Sequence, residues 1–458
     1  MSAIESTHGR PSAGQRGWRL FCRGMVRVFY RRCEVQGLER VPAAGAGLLC
    51  ANHASALADA VIVQAACPRP VHPLARSGLF ANPVLRPLLA TIQAVPIYRA
   101  QDTGGDTSRN VDSFSRCYEL LARGGLLLIF PEGQSHSDPR LRPLKTGAAR
   151  LALGALERSG RAPAILPVGL TFTAKGRFRS SVLVQVGAPV DPRPLLGEDV
   201  EDTVRRVTAE IQAGIAGVTL NVESWEDLEF LQELQRFFAF RRGRRELRRS
   251  LAHRFRAMQR LIETHRLLRG LSPERVLELA SRLRRFHRLC ARYGVRDYHL
   301  TVRYTPDVVL RYVGRSLGFL LVILPVAALG ALQSALPYLA TRALVRKLAR
   351  GRDQYDTANM LIGLGIFGVA WWAQLAWAFL RWGPAATAIW AASLPVAGAT
   401  ALVVGHERER LVDNLRAFFL FIRRRELRAY LLAKRQALET ELARLARAAK
   451  RGARAAAS

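Results

Sequence analysis

The chain has 458 residues, and its 69 Lys+Arg against 36 Asp+Glu give a formal net charge of +33. That length leaves room for two or three domains with a large core, and the charge requires an anionic partner: nucleic acid, anionic lipid or a phosphorylated substrate. Three long apolar runs near 317–340, 359–380 and 385–404 select lipid, since each is as long as a membrane-spanning helix requires. No nucleic-acid-binding motif accompanies the arginines, which sit on helices flanking the apolar runs. Six cysteines show neither a C-x-x-C pair nor metal-ligand spacing with histidine, and read as reduced thiols in a cytoplasmic setting.

The first 15 residues are polar, lack the apolar core of a signal peptide, and are expected to be disordered. Residues 16–33 follow as an amphipathic helix suited to the headgroup layer. Arg16, Arg19, Arg23, Arg27 and Arg31 fall on one face; Trp18, Phe21, Met25, Val28 and Phe29 fall on the other. From 34 to 220, apolar runs at 47–51, 94–98, 126–130, 164–170 and 182–186 alternate with helical stretches, one of them capped by Asn110. The alternation predicts an α/β domain, a mostly parallel sheet flanked by helices. Ala100 to Asn110 reads as a loop bordering the site.

A basic all-α region is expected over 221–313, with Ser272-Pro273 starting one helix. Phe238-Ala239-Phe240 leading to Arg244-Arg245-Glu246-Leu247-Arg248 is echoed by Phe418-Phe419-Leu420 leading to Arg424-Arg425-Glu426-Leu427-Arg428, two helices obeying one membrane-surface rule. Residues 314–405 form a membrane-embedded helical region, and 406–458 a basic amphipathic C-terminal helix. Basic residues before 316, within 341–358 and after 406 favour one cytoplasmic side for all three. That predicts a re-entrant or shallow segment at 317–340, broken at Pro325 and Pro337, then a hairpin of transmembrane helices at 359–380 and 385–404 that turns at Arg381 to Pro384. Three full crossings are the alternative.

Two clusters carry chemistry. Phe130-Pro131-Glu132-Gly133-Gln134-Ser135-His136 follows one strand-like run and Asn52-His53-Ala54-Ser55, with Asp59, follows another. Both therefore lie at strand carboxyl ends, where open α/β sheets bind ligands. His53 and Asp59 have five residues between them, so they meet only if the chain turns between strand and helix. If they meet, His53 can take a proton from an attacking hydroxyl while Asp59 steadies the imidazolium.

These clusters, with Val95-Pro96-Ile97-Tyr98-Arg99 and Leu166-Pro167-Val168, make four blocks in a fixed order. They resemble the motifs of glycerolipid acyltransferases, the superfamily of glycerol-3-phosphate and lysophosphatidic acid acyltransferases. The resemblance implies His53 as general base with Asp59 as its orienting partner. Arg99 would bind the acceptor phosphate, Glu132 and Gly133 would help place the acceptor, and Pro167 would wall the site. Two departures, five intervening residues instead of four and Ser135 where the third block usually carries arginine, resemble the branch that acylates glycerol-3-phosphate or dihydroxyacetone phosphate. There Phe-Pro-Glu-Gly-x-Ser-His continues to Pro-Leu-Lys, so Ser135, His136 and Lys145 join the candidate substrate-binding residues, with His136 and Lys145 supplying the missing positive charge.

The resemblance implies transfer of a fatty acyl group from acyl-CoA or an acyl-carrier protein to glycerol-3-phosphate, with the thioester as co-substrate and neither cofactor nor metal. Partners would be anionic membrane lipid and the phosphorylated glycerol acceptor, at the cytoplasmic face of the cell membrane. A lysophospholipid acceptor is the runner-up, and a non-catalytic scaffold binding anionic lipid is the reading of another class.

Overall fold

The computed structural model describes residues 11–455 except 84, 100–107, 109, 240–249, 297–298, 301–305, 350 and 352. The chain divides into two compact units, Met1–Glu223 with Lys347–Met360, and Ser224–Arg346 with Leu361–Ser458. Residues 1–10, most of the loop expected at Ala100 to Asn110, and the first member of the aromatic-arginine echo from 240 on lie outside the described residues.

The first unit is built on a seven-stranded sheet: β1 (Tyr30–Gln36), β2 (Gly47–Ala51), β3 (His72–Arg76), β4 (Val95–Ile97), β5 (Leu126–Ile129), β6 (Ala164–Phe172) and β7 (Ser180–Val186). Their spatial order is β1-β7-β6-β2-β5-β3-β4, and every neighbouring pair is parallel except β6 and β7. The mostly parallel sheet and its flanking helices are as the alternation predicts. Leu48, Cys50, Leu126, Leu127, Leu128, Ile165 and Leu166 are wholly buried because helices cover both faces.

Alternate strand residues serve the two faces. Leu49, Leu128, Leu166 and Val168 join α1 (Ala13–Phe29) and α2 (Leu57–Ala66) in one cluster. Leu48, Cys50, Leu127 and Ile165 join α4 (Asn110–Ala122), α5 (Gly147–Ser159) and α6 (Val200–Gly217) in the other. The short α3 (Leu85–Thr91) precedes β4.

Several expectations need correction. Residues 13–15 are helical, not disordered, because Ser12 and Gln15 form a reciprocal capping box. The arginine stripe of α1 is not wholly a headgroup face. Arg19 Nη2 donates to Cys67 O at 2.7 Å and Arg23 Nε to Ala65 O at 3.2 Å, satisfying carbonyls that the end of α2 leaves without partners. Trp18, Met25 and Phe29 pack on the core, while Leu20, Phe21 and Val28 stay exposed. The helix ends at Phe29, and β1 takes over at Tyr30, inside the range expected to be helical. Asn110 does not cap α4; its side chain accepts from Tyr98 N and donates to Tyr98 O, pinning the end of β4.

The second unit is helical: α7 (Trp225–Ala239), α8 (Leu251–Leu271), α9 (Pro273–Arg292), α10 (Pro306–Leu348), α11 (Tyr355–Arg423) and α12 (Arg425–Ala455), although the first turn of α11 belongs to the first unit. Pro325 and Pro337 do not break α10 as expected; the helix runs through both. The break falls instead at Gly383 in α11, with φ 80° and ψ −177°, a backbone state essentially confined to glycine. It falls within Arg381 to Pro384, the stretch where the sequence places the turn of the hairpin. Leu321–Leu348 and Tyr355–Gly405 have the length and hydropathy of membrane spans. Gly330 lets α10 approach α11 closely, since a Cβ there would run into the carbonyl of Ala397. The C-terminal region is two helices, parted between Arg423 and Arg425, where one was expected.

Candidate active site

Strands β2 and β5 lie side by side, and the chain leaves them toward opposite faces of the sheet: β2 feeds α2, β5 feeds α5. A crevice opens outside the strand ends at such a reversal, the place where open sheets take ligands. Asn52-His53 leaves β2 and Phe130-Pro131-Glu132-Gly133 leaves β5, so the two expected clusters come together here. Asn52 fastens the rim, its side chain accepting from Leu170 N at 2.7 Å and donating to Leu170 O at 3.2 Å.

The turn required between His53 and Asp59 is present. Ala56 takes φ 47° and ψ −128°, and α2 then starts with Asp59 in its first turn. His53 Nδ1 pairs with Asp59 Oδ2 at 2.9 Å, and the same oxygen accepts from Ser55 N at 2.7 Å. Asp59 is wholly buried, so both of these bonds act away from water, where they are strong. The imidazole stacks on Phe130, ring centroids 4.1 Å apart, which fixes its plane. With Nδ1–H given to the carboxylate, Nε2 is the nitrogen that remains to accept a proton.

Glu132, 4% exposed, knits the two loops together. Its Oε1 accepts from His53 N at 2.7 Å, and its Oε2 accepts from Arg142 N at 3.0 Å and bonds the ring of His136 through Nε2. The other ring nitrogen of His136 accepts from Asp138 N at 3.1 Å, and His136 N donates to His53 O at 3.1 Å. His136 is thus a strut inside the site. Both of its ring nitrogens are taken up by the loops.

Arg99 and Lys145 converge on Gly133. Arg99 Nη1 donates to Gly133 O at 3.1 Å, and a Cβ on Gly133 would lie 2.7 Å from Lys145 Cε and 2.9 Å from its Nζ. Gly133 has φ 75°, so glycine serves both the backbone turn and the approach of the lysine. Lys145 N donates to Pro131 O at 2.8 Å, tying its own segment to the loop. Two cations thus stand at one peptide, an arrangement suited to a phosphate. Pro167 is placed otherwise than expected: it is buried in β6, paired with Cys50, its ring turned toward Gly214 of α6. It packs under the helical face and does not wall the crevice.

Sequence reasoning missed a set of residues from 353–357, in the stretch between the apolar runs. Ser135 Oγ donates to Asp353 Oδ2 at 2.6 Å. Ser55 Oγ donates to Asp356 Oδ2 at 2.8 Å, and Gly176 N donates to Asp356 Oδ1 at 2.8 Å. Thr357 Oγ1 accepts from Ala58 N at 3.0 Å and donates to Ser55 O at 2.9 Å. Lys175, just after β6, was missed as well. Burial holds its ammonium below the usual lysine range, opposed by the nearby carboxylates of Asp59, Asp356, Asp353 and Glu132.

Comparison with known proteins adds three observations. The Acyltransferase family model matches residues 32–171. Glycerol-3-phosphate O-acyltransferase 1 of Saccharomyces cerevisiae is 32% identical over 27% of this chain and 17% of its own length; 1-acyl-sn-glycerol-3-phosphate acyltransferase BAT2 of Brassica napus is 30% identical over 27% of this chain and 34% of its own. The chain therefore spans well under half the length of either relative. The crystal structure of the 1-acyl-sn-glycerophosphate acyltransferase PlsC from Thermotoga maritima aligns at a TM-score of 0.35 and 20% identity, covering 44% of this chain and 78% of that one.

Proposed function

We infer that through residues 32–171 the chain belongs to the glycerolipid acyltransferase superfamily, with affinity for its glycerol-3-phosphate acylating branch. From that premise we propose that it moves a fatty acyl group from an acyl thioester, acyl-CoA or acyl-carrier protein, to a hydroxyl of glycerol-3-phosphate. The observation that carries this reading is the pairing of His53 Nδ1 with Asp59, which leaves Nε2 as the base.

His53 Nε2 takes the acceptor's hydroxyl proton as that oxygen attacks the thioester carbonyl. Asp59, bonded to Nδ1–H, steadies the imidazolium that forms. The tetrahedral intermediate collapses with cleavage of the carbon–sulfur bond, and the departing thiolate receives the proton from Nε2. An ester and a free thiol result, with no covalent enzyme intermediate. Arg99 and Lys145 hold the acceptor phosphate beside Gly133, in place of the arginine that Ser135 replaces. The exposed apolar helices keep the enzyme in the membrane where its product resides, with the catalytic unit on the cytoplasmic face.

The test is turnover by the purified full chain in detergent micelles, with labelled acyl-CoA and either glycerol-3-phosphate or a lysophosphatidic acid. Glycerol-3-phosphate is expected to be acylated, and His53→Ala to lower the rate by roughly 10²–10⁴. Turnover confined to the lyso-lipid would reassign the acceptor. A chain with no turnover on either acceptor, in which His53→Ala leaves lipid binding unchanged, would be a scaffold.

A further inference from the structure

The acyltransferase motifs end before residue 175, yet two carboxylates and a threonine from residues 353–357 bond directly to the loops that carry those motifs. Asp356 is 3% exposed and Ser55 is wholly buried. An aspartate buried that deeply persists as a charge only if its oxygens are bonded. Here both are: Oδ2 accepts from Ser55 Oγ and Oδ1 from Gly176 N. Thr357 adds a two-way contact, receiving from Ala58 N and giving to Ser55 O. The bonds to Ser55 and Ala58 bracket Ala56, whose φ of 47° is unfavourable for an L-residue and must be imposed by its surroundings. Ser55 N, in turn, is a donor to the same Asp59 oxygen that holds His53.

We propose that Asp356 and Thr357 are positioning residues for acyl transfer: they clasp the turn at Ser55–Ala58 and thereby hold Asp59 where it can orient His53. Asp353, which accepts from Ser135 Oγ at 2.6 Å, is the matching hold on the glutamate loop. Lys175 lies among the four carboxylates so assembled and offsets their mutual repulsion. Neither aspartate nor Thr357 is placed to touch the reacting atoms. Their effect passes through the imidazole, and displacement of a catalytic group by about 1 Å is enough to cost roughly 100-fold in rate.

This inference rests on the acyl-transfer reading, so its test starts from the full chain with measured turnover; without turnover that reading fails first, and His53→Ala separates the two. Asp356→Ala and Ser55→Ala remove the same bond from either end. Each is expected to lower kcat by roughly 10–100-fold with KM for both substrates changed less than about three-fold, and the double variant to be no slower than the slower single. Asp356→Asn keeps an acceptor for Gly176 N and a side chain that Ser55 can pair with. It is expected to restore kcat to within about five-fold of the parent, which simple loss of folding would not allow. Unchanged kcat in both alanine variants, multiplicative effects in the double variant, or a loss that asparagine does not repair would each overturn the proposal.

Discussion

Ala56 shows how a residue ordinary in sequence can decide a site. The five residues between His53 and Asp59 require a turn, and that much is legible; the φ of 47° at an alanine is not, because nothing in its side chain favours it. The same limit applies to Asp356. An acid in the first turn of a helix reads as a dipole partner, and only the fold reveals that this one bonds Ser55. Gly133 is the opposite case, a glycine whose need is visible in the motif and whose geometry supports the role assigned to it. With φ 75° and Lys145 Nζ 2.9 Å from where a Cβ would sit, Gly133→Ala strains the turn by about 1–2 kcal/mol and displaces the lysine. The expected result is a rise of roughly ten-fold in KM for the phosphorylated acceptor, with KM for the acyl thioester unchanged. A rise in the thioester KM alone would place the acceptor phosphate elsewhere.

Among the elements, the buried strands β2, β5 and β6 are readable as apolar runs, and β7 as a run interrupted by Gln185. The missed strands, β1 and β3, lack that signal for definable reasons. Tyr30–Gln36 carries two arginines and a glutamate because it is an edge strand, and His72–Arg76 opens on a histidine and a proline. Helix α10 misleads in the other direction: two prolines suggest a break, yet it continues through both. In the second unit, one buried group ties elements together in a way that pH can report. His299 is wholly buried, its Nδ1 accepting from Arg296 N at 3.0 Å and its Nε2 donating to Asn414 of α11 at 3.2 Å. Burial pulls its pKa down to about 4 from 6.5, outweighing the opposing pull of Asn414 and Asp413. The fold therefore favours the neutral ring. Its contribution is complete above pH 6.5 and is lost as pH falls toward 4, about 3 kcal/mol in all. Thermal melts of the full chain between pH 7 and pH 4 are expected to show that loss, and His299→Gln, which keeps one acceptor and one donor, to flatten it. An identical slope in both proteins would assign the pH dependence to other groups.

At the scale of the whole molecule, the division of the chain constrains the path that the proposed membrane reading can take. Residues 347–360 fold with the catalytic unit, while α10, immediately before them, and α11, which begins among them, carry the apolar runs. Arginines before residue 316 and within 341–358 lead the positive-inside tendency to predict that the chain enters and leaves α10 on one side, so that α10, though continuous, lies in the membrane without crossing it. The two parts of α11, divided at Gly383, are then expected to go out and return. The arginine-rich stretches flanking these helices would then stay on one side, as the positive-inside tendency favours. Arg346→Cys and Arg381→Cys, each in a chain whose six native cysteines are replaced, test this with a membrane-impermeant thiol reagent on sealed cells. The thiol at position 381 is expected to react from outside, and the one at position 346 only after the membrane is opened. Reaction of the 346 position from outside would mean that α10 crosses, and that residues 347–360 are parted by the bilayer from the loops their side chains bond.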